Sequence, residues 1–336
     1  MARPPVAVRA GTVAIGVGGT VAIALVAWFG ARAIGADVVR AAWTLPPILA
    51  LHGAQLWLSA LAWRRATGIR RPGGSIWLRI RWIRESVNSL LPVAQVGGAV
   101  VGVRLLTQRG VGIVPAAAGT TLDMTVEALG QLLFTLAGIL ALAATSTDHA
   151  WRPWLGGGVA VMAAGTIGLI LAQRAGLLRL VEALTRHMSR AFPALPATAA
   201  QGLHGELMRL ETDHAGLLHA AGLHMLAWLL GVGETWLALS AMGHPATLAA
   251  AFVVESLGMA ARSAGFLVPG ALGVQEGGFM LVGNLVGLPP DAAIALSMVK
   301  RTRELLVGVP GLLAWQWLEG ARLVARAKPV AERISR

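Results

Sequence analysis

Asp123 and Glu127 stand four residues apart in a run from Pro115 to about Ala144 that is otherwise almost wholly apolar. A helix there puts both carboxylates on one face. A second apolar run, Asp291–Trp317, carries Lys300, Arg301, Arg303 and Glu304 near its middle. Arg262 and Glu276 fall within an apolar stretch around Pro269, and Arg84, Glu85 and Arg104 surround a comparable one around Pro92. Charges in such surroundings can neutralise one another, bind a charged or hydroxylated ligand, or let a carboxylate act as general base. Counting 25 residues past the second glycine of each Gly-Gly pair reaches Asp123 in one half and Arg303 in the other. Asp123 and Glu127 are therefore expected to face Lys300 and Arg303. Glu276 is a candidate proton acceptor or ligand for a substrate amine, with neutralisation of Arg262 as the alternative. Glu234 and Glu255 pose the same choice. His52, His219 and His224 are isolated on apolar segments, where satisfied interior groups are the expectation, and no metal is expected.

The elements that hold these groups must lie in a membrane. Hydrophobic residues make up 56% of the chain and charged ones 13%, too few to cover a water-soluble fold of this length. There is no cysteine, which removes thiolate metal sites and cysteine nucleophiles. The net charge of +12 sits in short segments between apolar runs, so it reads as topology and not as a nucleic-acid surface. No phosphate-cradling Gly-x-x-x-x-Gly-Lys-Ser/Thr, Gly-x-Ser-x-Gly or His-Glu-x-x-His pattern occurs, and no cofactor is expected.

Spans are expected over Ala10–Ala31, Ala41–Trp63, Pro115–Ala144, Pro153–Gln173, Gly216–Met242 and Asp291–Trp317. The segment 174–214 alternates apolar and charged residues at helical spacing and is expected to lie on the cytoplasmic surface. Basic residues concentrate in the segments assigned to the cytoplasm, while the inferred outer loops hold only Arg32, Arg40 and Arg152; both termini are then inside. Trp28, Trp43, Trp63, Trp151, Trp154, Trp315 and Trp317 fall near expected span ends.

Two stretches break the pattern in the same way. Ser86, Leu90, Pro92, Gln95 and the pair Gly97–Gly98 recur as Ser263, Leu267, Pro269, Gln275 and Gly277–Gly278, with three more residues after the second proline. Such an insertion suits a loop and not a continuous helix. Each copy reads as a broken hairpin, over about 74–107 and 247–287, whose tips carry Pro92, Gly97, Gly98, Pro269, Gly270, Gly273, Gly277 and Gly278. The resulting fold class is an all-α polytopic membrane protein. It is a single transmembrane domain over 1–336 with about six spans and two re-entrant hairpins, in an inverted repeat of about 41–144 and 216–318. The hairpin tips are expected to meet near the midplane, because irregular backbone at membrane depth must be enclosed by protein or line a wet cavity. Candidate substrate-binding residues are Arg84, Glu85, Asn88, Gln95, Asp123 and Glu127 in the first half. In the second they are Arg262, Gln275, Glu276, Lys300, Arg303 and Glu304.

The strings Trp82–Gly98, Phe266–Gly278 and Arg303–Trp315 resemble the HpnL family of hopanoid-biosynthesis-associated bacterial membrane proteins, itself similar to the transmembrane flippase region of lysylphosphatidylglycerol synthases. The position after the first Gly-Gly pair, often acidic in that family, is Ala99 here. The resemblance implies movement or handling of a polar-headed lipid in the bacterial inner membrane, a hopanoid or a phospholipid. It also implies hopanoid-biosynthesis enzymes as partners. A counterpart of the synthases' soluble aminoacyl-transferase domain is not seen, so lysyl transfer is not expected. An integral-membrane transferase acting on a lipid head group and a non-catalytic assembly partner of hopanoid enzymes remain alternatives.

Overall fold

The computed structural model describes residues 31–91, 97–145, 197–265 and 271–334, with isolated positions at 268 and between 156 and 171. Every described element is helical: α1 Ala31–Ala41, α2 Leu45–Thr67, α3 Gly74–Leu90, α4 Gly97–Thr107, α5 Ile113–Thr145, α6 Ala197–Glu211, α7 His214–Ala241, α8 Leu248–Ala264, α9 Val274–Leu285 and α10 Pro290–Ile334. The starts and stops are those the local sequence dictates. Pro46 and Pro47 open α2, where their missing N–H groups cost nothing, and Gly68 closes it in the left-handed region at φ 64°. Asp213 caps α7 by accepting from the Gly216 N–H at 2.9 Å, and Thr247 caps α8 by accepting from the Ala250 N–H at 3.1 Å.

Three described helices are long and apolar enough to cross a membrane: Gly35–Thr67, which joins α1 to α2, α5 and α7. They match three of the expected spans. The expected spans 10–31 and 153–173 lie almost entirely outside the described residues. The sixth, Asp291–Trp317, forms the first part of α10, but its four central charges keep it out of the apolar class. Of the expected surface segment 174–214 the description begins at α6, whose Leu203, Leu207 and Leu210 pack on Ala118 and Leu122 near the start of α5. Trp63, expected at a membrane boundary, is instead fully buried. It meets Trp77 edge to face at 4.9 Å, and its indole N–H donates to the Thr120 hydroxyl at 3.2 Å.

Both stretches around the prolines are broken helical hairpins, α3–α4 and α8–α9. Pro92, Gln95, Pro269 and Gly270 lie outside the described residues, but the arms are defined on either side. The second glycine of each Gly-Gly pair is where the arms touch. A side chain on Gly98 would collide with the Arg84 carbonyl and the Asn88 side chain, and one on Gly278 would collide with the Ala261 methyl. Arg84 and Ala261 each stand eight residues before their hairpin's proline. The repeat thus has one crossing point at one register. In the first hairpin Asn88 secures it, its Oδ1 accepting from the Gly98 N–H at 2.8 Å. The arms α4 and α9, at 11 and 12 residues, are about 16–18 Å long. Neither reaches across a hydrocarbon layer of roughly 30 Å.

The packing of one half is matched throughout by the other. Helices α2 and α7 pair at the centre, α3 packs on α10 as α8 packs on α5, and α4 packs on α5 as α9 packs on α10. The central pair runs antiparallel: Arg65 at the end of α2 bonds Asp213 at the start of α7 at 2.9 Å, while Gln55, well back along α2, bonds Glu234 far along α7. Short links tie the open end of α3–α4 to the end of α2 and the open end of α8–α9 to the end of α7. The two hairpins therefore open toward opposite ends of the molecule.

The crossing point yields a direct test. Gly98→Val should lower stability by about 1–3 kcal/mol through overpacking, read as a lower unfolding temperature in detergent. Gly277→Ala, with open space around it, should stay within about 0.5 kcal/mol of the parent. Equal losses at both positions would contradict the packing.

Candidate functional site

The intramembrane charges form two clusters. In the first, Asp123 of α5 is fully buried. It accepts from Arg84 Nη1 at 2.7 Å, approaches Arg81 Nη1 at 3.5 Å and lies 3.0 Å from His224 Nε2 of α7. Glu127, one turn on, holds Arg81 Nη2 at 2.8 Å. The Arg84 guanidinium also lies 5.1 Å from the Trp63 ring centroid, an apolar wall that still favours a cation. The spacing Arg81, Arg84 on α3 presents two cations on one face, and Asp123, Glu127 on α5 presents two anions to meet them.

In the second cluster Lys300 of α10 donates to Glu255 of α8 at 2.7 Å, and Thr235 adds its hydroxyl to the same carboxylate. Arg303 holds Glu234 of α7, which also takes the Gln55 amide. Arg262 at the end of α8 pairs with Glu304, which Arg301 meets at 3.1 Å. Glu276 is fully buried and uses both oxygens: one accepts from the Gly273 N–H at 2.7 Å, closing the first turn of α9, and the other lies 3.1 Å from Arg301 Nη2. Gln275 donates to the Ser297 hydroxyl at 3.0 Å.

These partners correct the expected pairing. Asp123 and Glu127 do not face Lys300 and Arg303; each long helix neutralises its charges mainly on its own hairpin arm and on α7. Nor does Glu276 neutralise Arg262, which is bound to Glu304. The polarity is reversed between halves: the arm α3 is cationic against an acidic α5, and the arm α8 is acidic against a cationic α10. Arg81, His224, Glu234 and Glu255 thereby join the site. Arg81 was legible in principle, since it lies three residues before Arg84 on an arm too charged for lipid. His224 gave no signal, because a lone histidine on an apolar helix has no visible partner until α7 is laid against α5.

Between the clusters lies a small polar cleft of about 20 Å³, room for about one water molecule. His52 of α2 and Glu85, Ser86 and Ser89 of α3 line one part of it. Arg262 at the closed end of α8 and Arg303 and Glu304 midway along α10 line the rest. The last turns of both first arms thus open on one charged space. Asp123, Glu127 and His224 could each offer a ligand atom to a metal, all within 4.8 Å of one another. Arg81 and Arg84 already occupy that space with two positive charges, a donor set unsuited to a cation.

These features define an all-helical, multi-pass membrane protein with broken hairpins packed between long helices and paired charges at their core. The chain matches the family described as the lysylphosphatidylglycerol synthase TM region over residues 13–311, and it belongs to that family. No curated protein and no solved structure matches it. Family membership gives it a function connected with membrane lipids, in head-group modification or in transport.

The pairing leads to a prediction by double-mutant cycle. Asp123→Asn alone strands Arg84 and should cost about 3–5 kcal/mol. Adding Arg84→Gln should recover part of it, with a coupling of about 0.5–3 kcal/mol. Adding Arg303→Gln, which shares no partner with Asp123, should give losses that sum within about 0.5 kcal/mol. Coupling of Asp123 to Arg303 in place of Arg84 would overturn the assignment.

Proposed function

We propose that the chain is a lipid translocase of the bacterial inner membrane, moving a polar-headed lipid by alternating exposure of the cavity between the two charge clusters, with both termini cytoplasmic. The observation that carries this reading is the convergence of two oppositely opening hairpins on one charged cavity. Helices of 11 and 12 residues that enter from opposite sides leave two thin barriers around such a cavity, and rocking one half against the other would open them in turn. In this reading the hairpins are re-entrant, α10 crosses as a span and its four central charges, Lys300, Arg301, Arg303 and Glu304, are tolerated because they are enclosed by protein. The resemblance to the HpnL family favours a hopanoid as cargo. As the cleft opens, its charged lining would meet the polar head group while the lipid's apolar part stays in the bilayer. Transport without a nucleotide site draws on a lipid or proton gradient.

A deletion strain separates this reading from a head-group transferase and from an assembly partner. Unchanged total lipids with an altered distribution between leaflets or membranes are the expected result. Loss of a modified lipid would replace the translocase by a transferase. Normal lipids in normal places would remove both.

A further inference from the structure

The ion pairs that build the two clusters each stay within one half of the molecule. Arg81 and Arg84 meet Asp123 and Glu127 inside the first half. Inside the second, Arg262, Lys300, Arg301 and Arg303 meet Glu304, Glu255, Glu276 and Glu234. Across the seam between the halves, at the depth of the clusters, the carboxylates meet histidines instead. His224 of α7 reaches Asp123 of α5, its Nε2 3.0 Å from Oδ1. His52 of α2 approaches Glu234 of α7, but its Nδ1 stops at 3.8 Å, and Arg303 and Gln55 already hold that carboxylate. His224 is therefore the titratable group hydrogen-bonded across the seam.

Its ring is fully buried and stacks on Trp228. A carboxylate only accepts, so Nε2 carries a hydrogen and Nδ1 is the basic nitrogen. That Nδ1 is buried with no hydrogen-bond partner among the described residues. The ring can take up a proton without giving up a bond.

The surrounding charges favour that proton. From α5 the ring faces Asp123 and Glu127, each offering an oxygen within 4.8 Å of a ring nitrogen. From α3, Arg81 and Arg84 hold those carboxylates, and Glu85 stands 3.8 Å from Arg81 on the same arm. Three carboxylates thus meet two guanidinium groups, and His224 is placed to supply the missing charge. Among the described residues no ion pair or hydrogen bond joins the ring to α2, α8 or α10. Their charged groups at this depth, His52, Glu255, Arg262 and the run from Lys300 to Glu304, belong to the second cluster, whose four cations and four carboxylates balance. Asp37 of α1 is engaged with Arg40 and His244.

We infer that His224 is a proton-binding site on the seam, coupled to the relative movement of the halves: it holds one proton at Nδ1 while α7 is joined to α5, and releases it when the halves part and the ring leaves Asp123. An imidazolium on a carboxylate makes a stronger hydrogen bond than a neutral ring does, so the proton fastens the halves at this point. Full burial of the ring encloses the proton in the joined state, and it enters and leaves while the ring is uncovered. The inference rests on the translocase reading and names the ion that drives it.

Spin labels at Leu129→Cys of α5 and Leu226→Cys of α7, both exposed positions, read the separation of the halves in the reconstituted full chain. Between about pH 8 and about pH 5, where a histidine changes charge, the ratio of joined to parted distances should rise at least about tenfold, within the roughly thousandfold that one proton allows. His224→Gln should abolish the response. In histidine-labelled nitrogen NMR spectra, His224, identified by difference from that variant, should carry hydrogen on Nε2 alone at the higher pH and on both ring nitrogens at the lower. A parent protein whose distances ignore pH would overturn the inference, whether or not the variant folds, as would a His224→Gln protein that keeps the full response. Vesicles with an imposed pH gradient and fluorescent phospholipid and hopanoid analogues separate the two claims. A pH-responsive seam without movement of any of these lipids upholds the proton site and removes the translocase reading. Lipid movement indifferent to the gradient and unchanged in His224→Gln upholds the translocase and overturns the coupling.

Discussion

A charge inside a membrane must be met by an opposite charge or by a dense set of hydrogen bonds, and the rest of this structure follows from that demand. Leaving one buried ion unpaired costs several kcal/mol, a large share of a protein's net stability. Asp123 cannot be fully buried on α5 unless α3 brings Arg84 to it, and α3 cannot carry Arg81 and Arg84 into apolar surroundings unless α5 offers Asp123 and Glu127. The same reciprocity ties Lys300 to Glu255 and Arg303 to Glu234. The pairs of Asp123, Glu127 and Glu255 tie a hairpin arm to a long helix, and that of Glu234 ties α10 to α7. They fix the depth of each arm as well as its neighbour.

Close backbone approach supplies the other constraint. Gly308 and Gly311 of α10 lie against Leu90 and Ser86 of α3, and Gly138 of α5 lies against Ser256 of α8, so each first arm is seated on the long helix of the opposite half by glycine. Glycine contacts of this sort let helices pack tightly where lipid provides no hydrophobic drive toward association. The charge pairs then select which faces meet. Together they leave a small charged space at the ends of the first arms, lined by Glu85 and Arg262.

Much of this architecture was legible in the sequence, and the reasons are local. The recurrence of Ser, Leu, Pro and Gly-Gly at matched spacing marked both hairpins, since proline and paired glycines state backbone geometry directly. Apolar runs marked α2, α5 and α7 because length and hydropathy alone define a span. The partners of the buried charges were not legible. Periodicity assigns Asp123 and Glu127 to one face but does not say which helix lies opposite. The equal offsets of Asp123 and Arg303 from their glycine pairs suggested that they meet. In the structure that equality is a symmetry relation, and related positions sit in corresponding places of the two halves, Asp123 against Arg84 of α3 and Arg303 against Glu234 of α7. Trp63 misled for a similar reason: a tryptophan near a span end usually marks the interface, yet here the hairpin folds back and encloses it.

The opposite orientation of the two halves is directly measurable, because the chain has no native cysteine. Arg109 follows the open end of the first hairpin and Pro245 precedes the open end of the second, and both positions are exposed. With Arg109→Cys and Pro245→Cys introduced separately, a membrane-impermeant maleimide should label one variant only in inside-out vesicles and the other only in right-side-out vesicles. Labelling of both from the same side would contradict the inverted arrangement and the shared cavity that depends on it.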